Sequence, residues 1–295
     1  MSILTEFPEM SRTDLRDFKK GVDESFRGFT REWGESIESF FFPLLKALAW
    51  FERLMVATPW PIMLVILGAL VYAGSRSIGL VIGTILTMLL IGYLGMWEDT
   101  MFTLALISVA TLICIVLGIP LGILMSKSDR TQAIITPVLD IMQTIPAFVY
   151  LIPILMLLGI GKVPGLIAVC IYAMPPVVRL TNLGIRLVDR DVLEAADAFG
   201  ASTRQKLWSV QMPLALPNIF AGVNQTIMMA LGMVVVAALI GVHGLGQEVL
   251  KAVNNQYLAL GLMNGLAIVA IAIIFDRTSQ KFGKRLQKHS ETIHG

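Results

Sequence analysis

Residues 100–125 read TMFTLALISVATLICIVLGIPLGILM, 26 positions without a single charged side chain. A helix needs about 20 apolar residues to cross a hydrocarbon core of about 30 Å, so this stretch reads as a membrane span. Similar runs lie at 59–73, 78–96, 134–160, 163–180, 214–242 and 258–275, which makes seven. Across all 295 residues 56% are hydrophobic and only 15% are charged, and the mean hydropathy is +0.75. No water-soluble core accounts for that balance. Short alternating segments of the kind an outer-membrane barrel requires are missing. The expected fold class is therefore an all-α polytopic membrane protein.

The chain opens differently. Residues 1–38 mix both charge signs with Phe18, Phe26, Phe29 and Trp33, a pattern suited to a surface-lying amphipathic helix or a polar arm. No early apolar run with a small-residue cleavage site follows, so an uncleaved amino terminus is expected. Residues 40–57 are greasier but carry Lys46, Glu52 and Arg53. A charge at the bilayer centre costs at least about 2.5 kcal/mol on insertion scales, so this segment is expected to be interfacial. Lysine and arginine gather in three places: Lys127 with Arg130, the 179–206 loop, and the tail at 277–288. The opposite loops contribute only Lys162 and Lys251. The central loop and the tail are accordingly expected in the cytoplasm, and seven spans then put the amino terminus outside. The net charge of +2 implies no nucleic-acid partner.

Prolines mark two irregular spans: Pro137, Pro146 and Pro153 in the fourth, and Pro175-Pro176 in the fifth. Each removes a backbone donor, and the cluster suggests interrupted helices lining a path. Glycines spaced by four, Gly79 with Gly83, Gly118 with Gly122 and Gly261 with Gly265, are expected to allow close helix approach. Cys114 and Cys170 lie in apolar runs and read as small packing residues.

Between the fifth and sixth spans, residues 186–209 are the most polar interior stretch. Leu193-Glu194-Ala195-Ala196 suits a short helix, Gly200 should stop it, and 203–210 can form a second one. Pro213 and Pro217 mark the return to the membrane. Small residues at Ala195, Ala196, Ala198 and Ala201 would let another protein come close, whereas the plain alternative is an ordinary solvated loop.

Glu194-Ala195-Ala196, Gly200-Ala201 and Met212-Pro213-Leu214-Ala215-Leu216-Pro217 resemble the EAA signature of binding-protein-dependent ABC importer permeases, with Met212 where that family usually has isoleucine or leucine. The resemblance covers about 95–280. Within it Leu139 to Leu151, the stretch from Tyr172 through Pro175-Pro176 to Arg179, Asn224 to Leu231, and the Gly241 to Gly246 segment after it are similar to the glycine betaine and proline betaine branch. The resemblance implies a type I importer transmembrane-domain fold. It divides the chain into a polar arm and interfacial segment at 1–57, accessory transmembrane helices at 58–96, a permease domain at 97–280 with a cytoplasmic coupling loop at 186–212, and a basic tail at 281–295.

It also implies partners: a dimeric cytoplasmic ATPase, a periplasmic or lipid-anchored substrate-binding protein, and a second permease copy. No glycine-rich loop ending in lysine and serine or threonine occurs, so ATP and Mg are expected on the ATPase and no cofactor in this chain. In that scheme Glu194, Ala195, Ala196, Gly200, Ala201, Pro213 and Pro217 carry coupling, and the protein sits in the bacterial inner membrane.

A quaternary ammonium cation is recognised by aromatic faces, and its carboxylate by donors. Gln143, Phe148, Tyr150 and Tyr172 lie in or near the proline-marked segments and are the pathway candidates, with core packing as the alternative. Asp140 could attract a cationic solute or merely pair with an arginine near the cytoplasmic surface. Choline, carnitine and proline remain alternative solutes. An ion-coupled secondary transporter would favour ionisable residues along several helices, and this chain offers few. A membrane enzyme would need a clustered catalytic set, yet His243, His289 and His294 are isolated.

Overall fold

A computed structural model describes residues 9–294, without the side chains of Lys284 and of residues 286–294. The first eight residues of the expected arm, and most side chains of the expected basic tail, lie outside the described residues. Among the described residues every regular element is helical.

Helix α1 (Arg12–Ala57) starts where the Ser11 hydroxyl accepts the Asp14 N–H at 3.2 Å. It stops at Thr58, which the following Pro59 holds in an extended conformation. The chain then turns by 112° into α2 (Trp60–Ser75). The expected interfacial segment is thus the last part of α1, set across the direction of the first apolar helix. Its charges are accommodated locally: buried Glu52 forms an ion pair with Lys162, whose ammonium also lies 5.6 Å from the centroid of the Phe102 ring.

Helices α2 and α3 (Ile78–Tyr93) form an apolar hairpin of 16 residues each, about 24 Å long. Helix α4 (Trp97–Lys127) is a long span, as are α7 (Lys162–Arg186), α10 (Met212–Ala238) and the apolar part of α12 (Leu258–His294). Between α10 and α12 lies the short α11 (Leu245–Asn255).

The expected single span at 134–160 is two helices, α5 (Asp129–Thr144) and α6 (Ala147–Leu158), bent by 97°. The break falls at Ile145, held extended before Pro146, while Pro137 and Pro153 stay inside their helices. Pro175-Pro176 does not interrupt the fifth span, contrary to expectation: α7 runs through both, and both are buried. Gly222 of α10 sits against this point, where an added Cβ would lie 3.0 Å from Val177 Cα and 3.2 Å from the Pro176 carbonyl. The neighbouring helix fills the irregularity, which is how a proline is tolerated in a buried membrane helix.

Helix α7 is the centre of the molecule and packs most extensively against α10 and α4. Leu166, Val169, Ala173 and Val177 of α7 share one buried cluster with Met101, Leu106, Ala110 and Cys114 of α4 and with Ala230, Met233 and Ala237 of α10. Both cysteines are free and buried, each sulfur facing a carbonyl of the facing helix at 3.7 Å. Of the expected glycine pairs, Gly118 and Gly122 lie in the α4–α7 seam, and Gly261 abuts Ala252. Gly79, Gly83 and Gly265 face open space and bring no backbones together.

Turns sort to two ends. At one, Arg285 and Lys281 of α12 donate to the Ala73 carbonyl and the Ser77 hydroxyl, joining the tail to the α2–α3 turn. At the other, the Gly161 N–H donates to the Ile240 carbonyl, and the Leu245 N–H to the Thr103 hydroxyl.

At Gly122 an added Cβ would fall 2.6 Å from Thr181 Cβ and 2.7 Å from the Val178 carbonyl. Gly122→Val should therefore destabilise the protein by about 1–3 kcal/mol, the usual cost of overpacking. Thermal unfolding in detergent checks this: a clear fall in midpoint is expected for Gly122→Val and none for Gly79→Ala.

Candidate coupling surface and pathway

The loop after α7 folds into a compact helix–turn–helix. Helix α8 (Arg190–Ala198) is capped by Asp189, whose carboxylate accepts the Asp191 N–H at 3.0 Å. It carries Glu194, Ala195 and Ala196, and none of its nine residues is buried. Its end is a Schellman motif: the Ala201 N–H donates to the Ala196 carbonyl at 3.0 Å and the Gly200 N–H to the Asp197 carbonyl at 2.9 Å. Gly200 has φ +75°, the left-handed conformation this motif needs and glycine adopts without strain.

One residue beyond Ala201, Ser202 forms a capping box with Gln205 and starts the short α9 (Thr203–Gln205). The Lys206 ammonium then reaches back to the Asp197 carboxylate at 2.6 Å and clamps the two limbs together. Nine positions separate these residues, a spacing that signals no local pair in a sequence, and the pair was not anticipated.

The second limb is not the separate short helix expected at 203–210. A π-helical turn at Lys206–Gln211 carries it without a break into α10, and Pro213 and Pro217 lie within the first turns of that helix. Leu207 roots the limb in a small buried cluster with Ile185, Ala215 and Ile219, against which Ile119, Ile123 and Met212 pack.

Arg186, at the end of α7, is a fastening that residue-by-residue reading did not single out. Its guanidinium donates to the Asn182 side chain at 3.0 Å and to the Met125 carbonyl at 2.9 Å, and pairs with Asp129 at 2.7 Å. A cation on the last carbonyls of α4 satisfies groups that the helix itself leaves without partners.

Four large apolar residues of this region remain exposed: Leu187, Val192, Phe199 and Trp208. Phe199 is 93% exposed, directly before Gly200. An aromatic held out on a rigid turn beside small residues has the form of an anchor for another protein.

The structure does not gather the five pathway candidates into one pocket. Asp140 on α5 pairs with Arg179 of α7 at 2.5 Å, the alternative to a free solute-attracting carboxylate. The Gln143 amide lies 3.8 Å from the Met229 sulfur on α10. Tyr150 on α6 and Tyr172 on α7 pack against the core, the Tyr150 hydroxyl enclosed without a protein partner. Phe148 is 59% exposed on α6. A further polar tie joins α10 to α12, where the Asn224 amide donates to Asp276 at 2.9 Å.

Comparisons with known proteins agree with this architecture. The chain is 47% identical over 242 residues to the glycine betaine/proline betaine transport system permease protein ProW of Escherichia coli (strain K12), covering 82% of this chain and 68% of that one. It is 48% identical over 244 residues to the glycine betaine/carnitine transport permease protein GbuB of Listeria monocytogenes serotype 1/2a (strain 10403S), covering 82% and 86% respectively. A structure of the MetNI methionine ABC transporter in an inward-facing conformation superposes with a TM-score of 0.58 at 19% identity, over 63% of this chain and 93% of that one, and supports the fold alone. Residues 115–288 match the family described as binding-protein-dependent transport system inner membrane component. With that match and these relatives beside a bundle of apolar helices, the chain belongs to the family of binding-protein-dependent transport system inner membrane components, as a multi-pass membrane permease.

Proposed function

We propose that this chain forms, with a second copy of itself, the membrane pathway of an ATP-driven importer for glycine betaine, proline betaine or a closely related quaternary-amine solute. The observation that carries the coupling part is the clamped helix–turn–helix with Phe199 held out beside Gly200. A separate cytoplasmic ATPase dimer binds ATP and Mg and receives Glu194, Ala195, Ala196 and Ala201 in a cleft. A substrate-binding protein delivers the solute at the opposite end. The chain itself holds no cofactor. The substrate class rests on the relatives, whose names specify glycine betaine transport.

In mechanism, closure of the ATPase dimer moves α8. The Asp197–Lys206 clamp and the unbroken path from α9 through the π turn into α10 make the module move as one piece. Helix α10 packs tightly on α7, so displacement at its root biases the bundle between two packings, inward- and outward-open. Pro213 and Pro217 serve this path by fixing the backbone of the first turns of α10, through which the helix runs unbroken. Gln143, Tyr150 and Tyr172 line the solute's route, with Phe148 facing it from the surface that a second copy covers. Aromatic faces suit a permanent cation with apolar methyls. Asp140 acts as a tie to Arg179, holding the broken α5–α6 segment against α7.

Proteoliposomes carrying the permease with its ATPase and binding protein test the reading. ATP-dependent accumulation of labelled glycine betaine is expected, and accumulation that continues when hydrolysis is blocked would overturn it. Glu194→Lys and Gly200→Asp should uncouple hydrolysis from uptake while leaving membrane insertion intact. Phe199→Ala should weaken ATPase association at least about tenfold, the scale of a buried aromatic anchor.

For the pathway, Asp140→Asn and Arg179→Gln should each lower the rate of uptake with the apparent KM for betaine unchanged. The charge-exchanged pair Asp140→Arg with Arg179→Asp should recover part of that rate. A KM raised tenfold by Asp140→Asn alone, without rescue by exchange, would return Asp140 to the solute's route.

A further inference from the structure

Between the accessory helices and the permease bundle lies an apolar cavity of about 410 Å³, bounded by five helices. Met55 of α1, Leu67 of α2, Met88 of α3, Leu104 of α4, and Ile271 and Thr278 of α12 are among its walls. Exposed Leu70 and Ile66 form its rim toward the membrane. The volume lies in the range that holds a small apolar ligand and is too narrow for a helix about 10 Å across.

The end of the cavity at Val71 and Thr278 leads to the α2–α3 turn, and three cations stand there. Thr278 abuts Gly74, Lys281 is one turn further along α12, and Arg285 one turn beyond that. The Lys281 ammonium donates to the Ser77 hydroxyl at 2.7 Å, the Arg285 guanidinium to the Ala73 carbonyl at 3.1 Å, and the Arg76 guanidinium lies 5.7 Å from the Tyr72 ring centroid. All three residues are exposed, and none forms an ion pair with a described carboxylate. Arg76 is held in the left-handed region, φ 49°, at the corner between the helices. By the distribution of basic loops this is the cytoplasmic end.

An apolar slot open sideways to the bilayer, with uncompensated positive charge at the level of the inner headgroups, is complementary to one class of molecule. We infer that the cleft between α2 and α12 is a binding site for an anionic phospholipid of the inner leaflet, one acyl chain lying in the cavity and the phosphate held by Arg76, Lys281 and Arg285. The chain would replace the contacts that the cavity walls lack, and the headgroup would neutralise the three cations. The accessory hairpin is then fastened to α12 partly through the lipid.

Native mass spectrometry of the purified permease, titrated in detergent with dioleoylphosphatidylglycerol or dioleoylphosphatidylcholine, tests the site. One phosphatidylglycerol per chain is expected to be retained at least about fivefold more strongly than phosphatidylcholine, a preference worth about 1 kcal/mol. The triple variant Arg76→Asn, Lys281→Gln, Arg285→Gln should lose that preference. Ser108→Phe, which fills the slot from its exposed rim, should lower retention of both lipids. The triple variant changes only exposed side chains, so the test stands on it should Ser108→Phe fail to fold. A wild type without headgroup preference, or a triple variant that keeps it, would overturn the site. So would Ser108→Phe that folds, retains lipid as before and shifts the monomer–dimer balance, since the slot would then belong to a contact between copies.

Discussion

Close approach of helix backbones along α7 is the constraint from which the other contacts follow. Inside a bilayer, lipid tails are as apolar as leucine, so burying apolar side chains gives little net drive and helices associate through tight packing and a few polar ties. Gly122 lays α4 against Thr181, and Gly222 lays α10 against Val177 and the Pro176 carbonyl. These approaches make α4, α7 and α10 one packed unit. Three further helices add polar ties to it: α5 by Asp140 with Arg179, α12 by Asn224 with Asp276, and α1 by Glu52 with Lys162. Each tie satisfies a group that would be costly to leave unpaired in an apolar setting.

The same logic gives the proposed coupling module its stiffness. A nine-residue helix is too short to be stable in isolation, yet α8 is closed at one end by Asp189, at the other by the Schellman turn, and sideways by Lys206. Its base is held by Arg186 and by Leu207 in the small cluster beneath. In the proposed mechanism, motion imposed on Phe199 or Glu194 would pass to α10 and α7, because the intervening segments are tied at each step.

Much of the fold was legible in the sequence because hydrophobic length is the dominant signal in a membrane protein. Residues 100–125 and 258–275 announce spans without ambiguity, and both lie within long helices. The proline readings show where that reasoning stops. Pro146 follows a break and Pro175-Pro176 does not, although the local chemistry is the same; at the latter Gly222 of α10 packs directly against the Pro176 carbonyl and Val177, a tertiary contact that no local pattern announces. The stop at Gly200 was readable since it is a local backbone requirement. The Asp197–Lys206 clamp, the Arg186 fastening and the π turn at 206–211 depend on how distant segments meet, and no spacing rule encodes them. Asp140 was visible as an unusual charge, while its partner Arg179, 39 positions away, was hidden among the basic residues of the loop.

In the proposed mechanism α8, the π turn and the root of α10 move together as a rigid lever. Spin labels at Val192 and Ser209, with buried Cys114 and Cys170 replaced by alanine, permit electron–electron distance measurements in the assembled transporter, without nucleotide and with ATP trapped. A rigid lever keeps the distance between the two labels within one chain unchanged and shifts the distance between the Val192 labels of the two copies. A distance within one chain that broadens or changes with ATP, while the separation between copies stays fixed, would contradict it.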